Sequence, residues 1–245
     1  MMLTGKNILI TGISSGIGRS ITELCIAENA NVWGIARNKD KIEEVKQSCS
    51  FPERLQTISY DLSSPKYNED YLLSFLPDRC DGFVHSAGIS ITKPLQFQES
   101  EILFETFSIN NISAMKLIAL LTDRFNNGSS IVFISSVMGE VGQSAKLSYC
   151  ASKGAISSFT RSLALEYTPR KIRVNSILPG VVKTPLFETL MDKLPYESLE
   201  NIYTQHPLGL GEPADIAHLV LFLLSDMSKY INGSLIAVDG GYLAR

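Results

Sequence analysis

Four cysteines, at 25, 49, 80 and 150, form no C-x-x-C pair, and the three histidines, at 85, 206 and 218, do not fall beside them in a metal-ligand spacing. No metal site is expected, and free thiols in a reducing compartment fit best. Uninterrupted apolar runs of the roughly 18 residues that a membrane helix needs are also missing. Nor is there a basic surplus: 22 Lys and Arg against 25 Asp and Glu leave a net charge of −3. Neither a nucleic acid nor a membrane surface is therefore an expected partner. Met1 to Lys6 leads into an apolar strand with none of the regions of a signal peptide, so the mature chain is expected to start here and to be cytoplasmic. No repeat, low-complexity tract or linker divides the 245 residues. Hydrophobic residues at 44% and charged residues at 19% suit one globular domain, 1–245, with a sizeable core.

What is present is rhythm. Short β-rich runs at 7–11, 31–36, 55–60, 82–85, 130–135, 173–178 and 235–238 alternate with helical patterns at about 17–29, 40–48, 67–76, 100–126, 149–167 and 213–225. Most of the strands are apolar without alternation, as strands buried on both faces must be. The expectation is an α/β single-domain Rossmann fold, a seven-stranded parallel sheet with helices on both faces. Asn38 is placed to cap the second helix and Pro213 to open the last one. Residues 181–207, with Pro185, Pro195 and Pro207 and broken periodicity, read as an irregular, mobile lid over the substrate.

Strand 1 runs into Gly12-Ile13-Ser14-Ser15-Gly16-Ile17-Gly18. At a strand-to-helix turn such glycines let the backbone approach a pyrophosphate, whose charge meets the free N–H groups of the helix N-terminus. Taken alone the same glycines would serve a tight turn. Its place in the first βα unit favours a nucleotide. Where NAD-binding folds commonly carry an acidic residue on the ribose, at the end of strand 2, this chain has Ala36-Arg37. A guanidinium pairs with a 2′-phosphate, so NADP(H) is expected over NAD(H), against the plainer reading of Arg37 as a solvated cation.

Tyr149 and Lys153 lie one helical turn apart on a common face. A phenol titrates near pKa ~10 and needs a neighbouring cation to work as a base; Lys153 supplies one. Ser135-Ser136 closes the fifth strand on the edge where open α/β sheets bind ligands, and a Ser136 hydroxyl there is positioned to hold a substrate oxygen. A capping turn is the plainer alternative for the pair. Asn110, in a helical stretch, has an amide able to hold a water or a backbone group.

With these residues in place the chain resembles the short-chain dehydrogenase/reductase family, in particular its 3-oxoacyl-acyl-carrier-protein reductase-like members. The resemblance runs nearly end to end: Thr11-Gly12-x-x-x-Gly16-Ile17-Gly18, Asp61-Leu62, Ala87-Gly88, Asn110, Ile134-Ser135-Ser136, Tyr149-x-x-x-Lys153, Pro179-Gly180 with Val182 and Thr184, and Val238-Asp239-Gly240-Gly241. It implies that Tyr149 exchanges a proton with the substrate oxygen, that Lys153 lowers the tyrosine's pKa and binds the nicotinamide ribose, and that Ser136 orients the carbonyl. It also implies that Asn110 anchors a water, that Asp61 and Leu62 hold the adenine, and that Pro179, Gly180, Val182 and Thr184 meet the nicotinamide carboxamide.

By the same resemblance the chain is expected to be a homotetramer and to reduce a ketone reversibly, with NADPH by the reading of Arg37, a 3-oxoacyl thioester being one candidate substrate. A sugar or polyol dehydrogenase, and a nucleotide-sensing protein without turnover, are the rival readings. In the lid, Leu186, Phe187, Leu190, Met191 and Leu194 suit an acyl chain or packing on the body. Two departures stand out. His85-Ser86-Ala87-Gly88 replaces the family's Asn-Asn-Ala-Gly, which makes His85 a structural, hydrogen-bonded histidine in expectation. Ser15 occupies a position that is often basic in NADPH-preferring relatives.

Overall fold

The computed structural model describes residues 1–64, 68–191 and 196–244. In chain order the strands are β1 (Asn7–Thr11), β2 (Asn31–Ala36), β3 (Leu55–Ser59), β4 (Cys80–His85), β5 (Phe125–Ile134), β6 (Arg173–Pro179) and β7 (Leu235–Val238). The helices are α1 (Gly16–Ala27), α2 (Lys39–Ser48), α3 (Glu69–Phe75), α4 (Ser100–Phe107), α5 (Ser113–Leu121), α6 (Leu147–Tyr167), α7 (Pro185–Met191), α8 (Tyr196–Thr204) and α9 (Pro213–Leu224). All seven strands pair in parallel in the order β3-β2-β1-β4-β5-β6-β7.

The local chemistry explains these elements. β6 is buried along its whole length, and its polar residues are paired there: Arg173 donates to Ser228 Oγ at 2.7 Å and Ser225 O at 3.1 Å, and Asn175 to Ile231 O at 2.9 Å. Asn38 caps α2, its side chain accepting from Lys41 N at 3.0 Å, and Glu212 and Asp215 form a reciprocal capping box around Pro213 at the start of α9. One core lies between the sheet and the α1–α9 face, built on Ile8, Ile10, Val84 and Val220; the other lies under α5 and α6, built on Leu9, Phe83, Phe133 and Leu117. The crossovers leave β1 in opposite directions, towards β2 and towards β4, so a crevice opens at the carboxyl ends of these strands.

Three expectations need correction. The helix expected over 100–126 is interrupted by a π turn at Ser108–Ile112, and the chain is already in β5 by Phe125. Within this π turn three successive residues, Ile109, Asn110 and Asn111, are all buried. β5 begins five residues before the expected strand because Phe125 pairs with Cys80 across an irregularity in register before Ser130 pairs with Gly82. Residues 181–207, expected as irregular, contain α7 and α8; Pro185 opens α7 as a first-turn residue instead of breaking a helix. Leu194 falls outside the described residues.

Candidate active site

Gly12 turns the chain at the end of β1 with φ +77, and a β-carbon there would stand 2.7 Å from Ala87 N. At Gly18 a β-carbon would meet Gly12 O at 2.2 Å. The cradle between the β1 and β4 ends therefore exists only because these side chains are missing. Ser15 precedes α1 in extended conformation with no side-chain cap, leaving the first-turn N–H groups to a ligand. One cavity of about 520 Å³ starts at this turn and runs to Tyr149 and helix α7. Along it lie Gly12, Ser14, Ser15, Gly16, Ile17 and Gly18, then Arg37, Asp61 and Leu62, then Ala87 and Gly88, and finally Ser136, Tyr149, Lys153, Pro179, Gly180, Val182 and Thr184. A cradle shaped for a pyrophosphate, with a cation beyond β2 and a proton donor at the far end, fits a nicotinamide dinucleotide.

Asn110 is the one expected site residue that does not line the cavity. Fully buried, it donates to Ile89 O at 3.1 Å and Ser152 Oγ at 2.9 Å, and accepts from Ile89 N at 2.9 Å. Both amide N–H groups are thus committed, and the side chain pins the Gly88-Ile89 backbone where the resemblance suggested an anchored water. The pinned turn abuts the acid/base group: a β-carbon on Gly88 would lie 3.5 Å from Lys153 Nζ.

Lys153 Nζ donates to Ile134 O at 2.8 Å and sits 5.6 Å from the centre of the Tyr149 ring. Burial holds its pKa down to about 8. For Tyr149 the outcome differs from the lysine-lowered phenol of the sequence reading. Burial raises its pKa above the ordinary phenol value, and the Ser136 side chain only partly offsets this. Desolvation penalises the phenolate more than the neighbouring hydroxyl stabilises it, so at neutral pH the phenol keeps its proton. The Ser136 hydroxyl also accepts from Met138 N at 3.1 Å, which fixes its position at the end of β5.

At the opposite end, burial raises the Asp61 pKa, but the Ser63 hydroxyl and N–H, at 2.7 and 3.0 Å, and the Arg37 charge bring it below the usual carboxylate value. Arg37 is exposed at the cavity wall. His85 is structural, as expected: 1% exposed, it lies 3.0 Å from Thr11 Oγ1 through Nδ1 and 3.2 Å from Ile109 O through Nε2. Cys150 packs beside Tyr149 against a small apolar cluster.

Sequence reasoning missed Lys41, Lys146 and His206, which also line the cavity. Lys41 and Lys146 carried only the signal of being cations close in sequence to Arg37 and to Tyr149. His206 carried no such signal, because its contact with Val181 N, 3.0 Å from Nε2, joins residues 25 apart in sequence.

A family model described as enoyl-(acyl carrier protein) reductase matches residues 12–243. A 3-oxoacyl-[acyl-carrier-protein] reductase of Thermotoga maritima is 33% identical over 98% of this chain and 99% of its own length. The solved short chain dehydrogenase family protein of Francisella tularensis superposes with a TM-score of 0.89 at 32% identity, covering 99% of this chain and all of its own. The chain is a short-chain dehydrogenase/reductase. The angucycline C-6 ketoreductase LanV, solved with bound NADP, is a further structural relative at TM-score 0.90 and 27% identity over 99% of this chain and 97% of that one. As a short-chain dehydrogenase/reductase the protein is an oxidoreductase of ketone and CH–OH groups with a nicotinamide dinucleotide as redox partner. Among the described residues no helix is long and apolar enough to cross a membrane.

Proposed function

We propose that the protein reduces a ketone to a secondary alcohol with NADPH, using Tyr149 as the proton donor. The observation that carries this reading is the buried Tyr149 phenol, its pKa raised, sharing one cavity with Ser136, Lys153 and the glycine cradle. NADPH, when bound, supplies the hydride to the carbonyl carbon. The chain's own residues then do three things. Ser136 donates a hydrogen bond to the carbonyl oxygen and holds it against Tyr149. The Tyr149 hydroxyl delivers its proton to that oxygen as negative charge develops there. Lys153, positively charged below its pKa of about 8, stabilises the phenolate left behind. Asn110 acts at one remove, holding Gly88 and Ile89 so that the wall facing Lys153 does not shift.

Gly12 to Gly18 would hold the pyrophosphate, Asp61 and Leu62 the adenine, and Pro179, Gly180, Val182 and Thr184 the carboxamide. Arg37, with Lys41 in the first turn of α2, favours a 2′-phosphate, since both cations line the wall beyond β2. A 3-oxoacyl thioester is a second substrate reading, favoured by Leu186 and Phe187, whose apolar side chains line the same cavity from α7. The test is NADPH oxidation, followed by absorbance with a ketone panel, in wild type and Tyr149→Phe. Loss of about 10²–10⁴-fold in kcat, with dinucleotide binding retained, is expected for removal of a general acid. A variant keeping more than a tenth of the activity refutes the role, and a wild type that binds the dinucleotide but turns over no ketone favours the sensor reading.

A further inference from the structure

Two ammonium groups flank the Tyr149 ring, and the reduction above uses only Lys153. Lys146, three residues before the tyrosine, holds its Nζ at the same 5.6 Å from the ring centre. It is 9% exposed, yet none of the ion pairs between described residues includes it. Its Nζ donates to a neutral acceptor, Ser90 Oγ, at 2.9 Å. An ammonium has three N–H donors and needs a counter-charge when it leaves water. Burial accordingly lowers its pKa, with the Cys150 thiol as the one ionisable neighbour acting the other way.

The backbone delivers this side chain deliberately. Ala145 holds φ 62, in the left-handed region that residues with a β-carbon rarely adopt. The Ala145 carbonyl accepts from Lys93 N at 2.7 Å. This contact and the Lys146–Ser90 bond clamp the turn before α6 against residues 90–93. Ser90, Thr92 and Gln143 supply neutral hydrogen-bonding groups on the same wall. The one carboxylate lining the cavity among the described residues is Asp61, beside Arg37 at the other end. Among the described residues the substrate end thus holds a buried cation with no anion of the protein's own.

Building on the ketone-reduction reading, we propose that Lys146 anchors a carboxylate of the substrate, so that the enzyme takes oxo acids in preference to neutral ketones. A carboxylate would complete a charge-assisted hydrogen bond that an ester cannot match, and an ester would leave the ammonium unpaired inside the cavity.

The experiment compares kcat/KM with NADPH for 2-oxobutanoate, acetoacetate and 4-oxopentanoate against their methyl esters and a neutral acetoacetyl thioester, in wild type and Lys146→Met. The proposal expects at least a tenfold preference for one acid over its ester in wild type, falling to about one or below in Lys146→Met and partly restored in Lys146→Arg. The wild-type comparison needs no variant, and a preference for the esters or the thioester overturns the proposal. So does a Lys146→Met enzyme slowed equally on acid and ester, which would assign the lysine to Tyr149 alone. If no ketone is turned over, the reduction reading has failed separately. Calorimetric titration of the matching hydroxy acids and their methyl esters into the dinucleotide-saturated protein then decides. Binding of an acid at least tenfold tighter than its ester, lost in Lys146→Met, supports the anion site; equal binding overturns it.

Discussion

Replacing His85 by asparagine, the residue the family pattern carries there, should flatten the fall of stability between pH 7 and pH 5. The Ile109 carbonyl can only accept, so His85 Nε2 carries the proton and Nδ1 is the acceptor. Thr11 Oγ1 donates to Nδ1, and its oxygen in turn accepts from Ala87 N at 3.1 Å. A second proton on the ring would break this chain at the point where the β1 and β4 turns meet. Burial first, and then the charge of Lys153, hold the His85 pKa down to about 3 from an ordinary 6.5.

The folded pKa lies below the unfolded one, so the unfolded chain binds more protons in the window between them. The stability this histidine contributes is present above pH 6.5 and is lost as pH falls towards 3. At pH 5 the folded ring is still neutral, so the loss depends on the unfolded value alone and comes to roughly 2 kcal/mol. Asparagine does not titrate and should lack this share. Urea unfolding of both proteins at pH 7 and pH 5, compared as changes in unfolding free energy, measures it. Equal losses in wild type and His85→Asn would refute the argument, whatever the variant costs at neutral pH.

Three other outcomes are expected. Arg37→Ala should weaken NADPH by about 10–100-fold, the worth of a charge-assisted hydrogen bond, and NADH by less than about threefold; equal loss of both in fluorescence titrations removes Arg37 as the discriminator. The kcat/KM for ketone reduction should decline above pH 8, because Lys153 loses its proton near its pKa of about 8; a profile flat to pH 9.5 would show that the ammonium is dispensable. Light scattering should give a tetramer, for which the exposed Phe104, Ile112, Met115 and Leu165 offer apolar surface; a monomer at working concentration contradicts the expectation.

Much of this molecule is written locally. β1 and β2 occupy the residues their apolar runs mark out, since a strand covered on both faces has no freedom to be polar inside. The motifs at Gly12, Ser136 and Tyr149 could be read together because a parallel sheet brings its strand ends to one edge, whatever the lengths between them. The π turn at Ser108–Ile112 escaped the pattern because its apolar spacing is close to that of a helix, and its reward, Asn110 on Ile89 and Ser152, lies in residues distant along the chain. Helices α7 and α8 were hidden by the prolines at 185, 195 and 207. The amino-acid order alone thus determined the fold, the family and the glycine turn at the end of β1. Only the tertiary structure decided that the phenol of Tyr149 is made a weaker acid by burial, that Asn110 holds backbone, and that Lys146 has no counter-charge among the described residues, because desolvation and pairing depend on what surrounds a side chain in space and not on its neighbours in sequence.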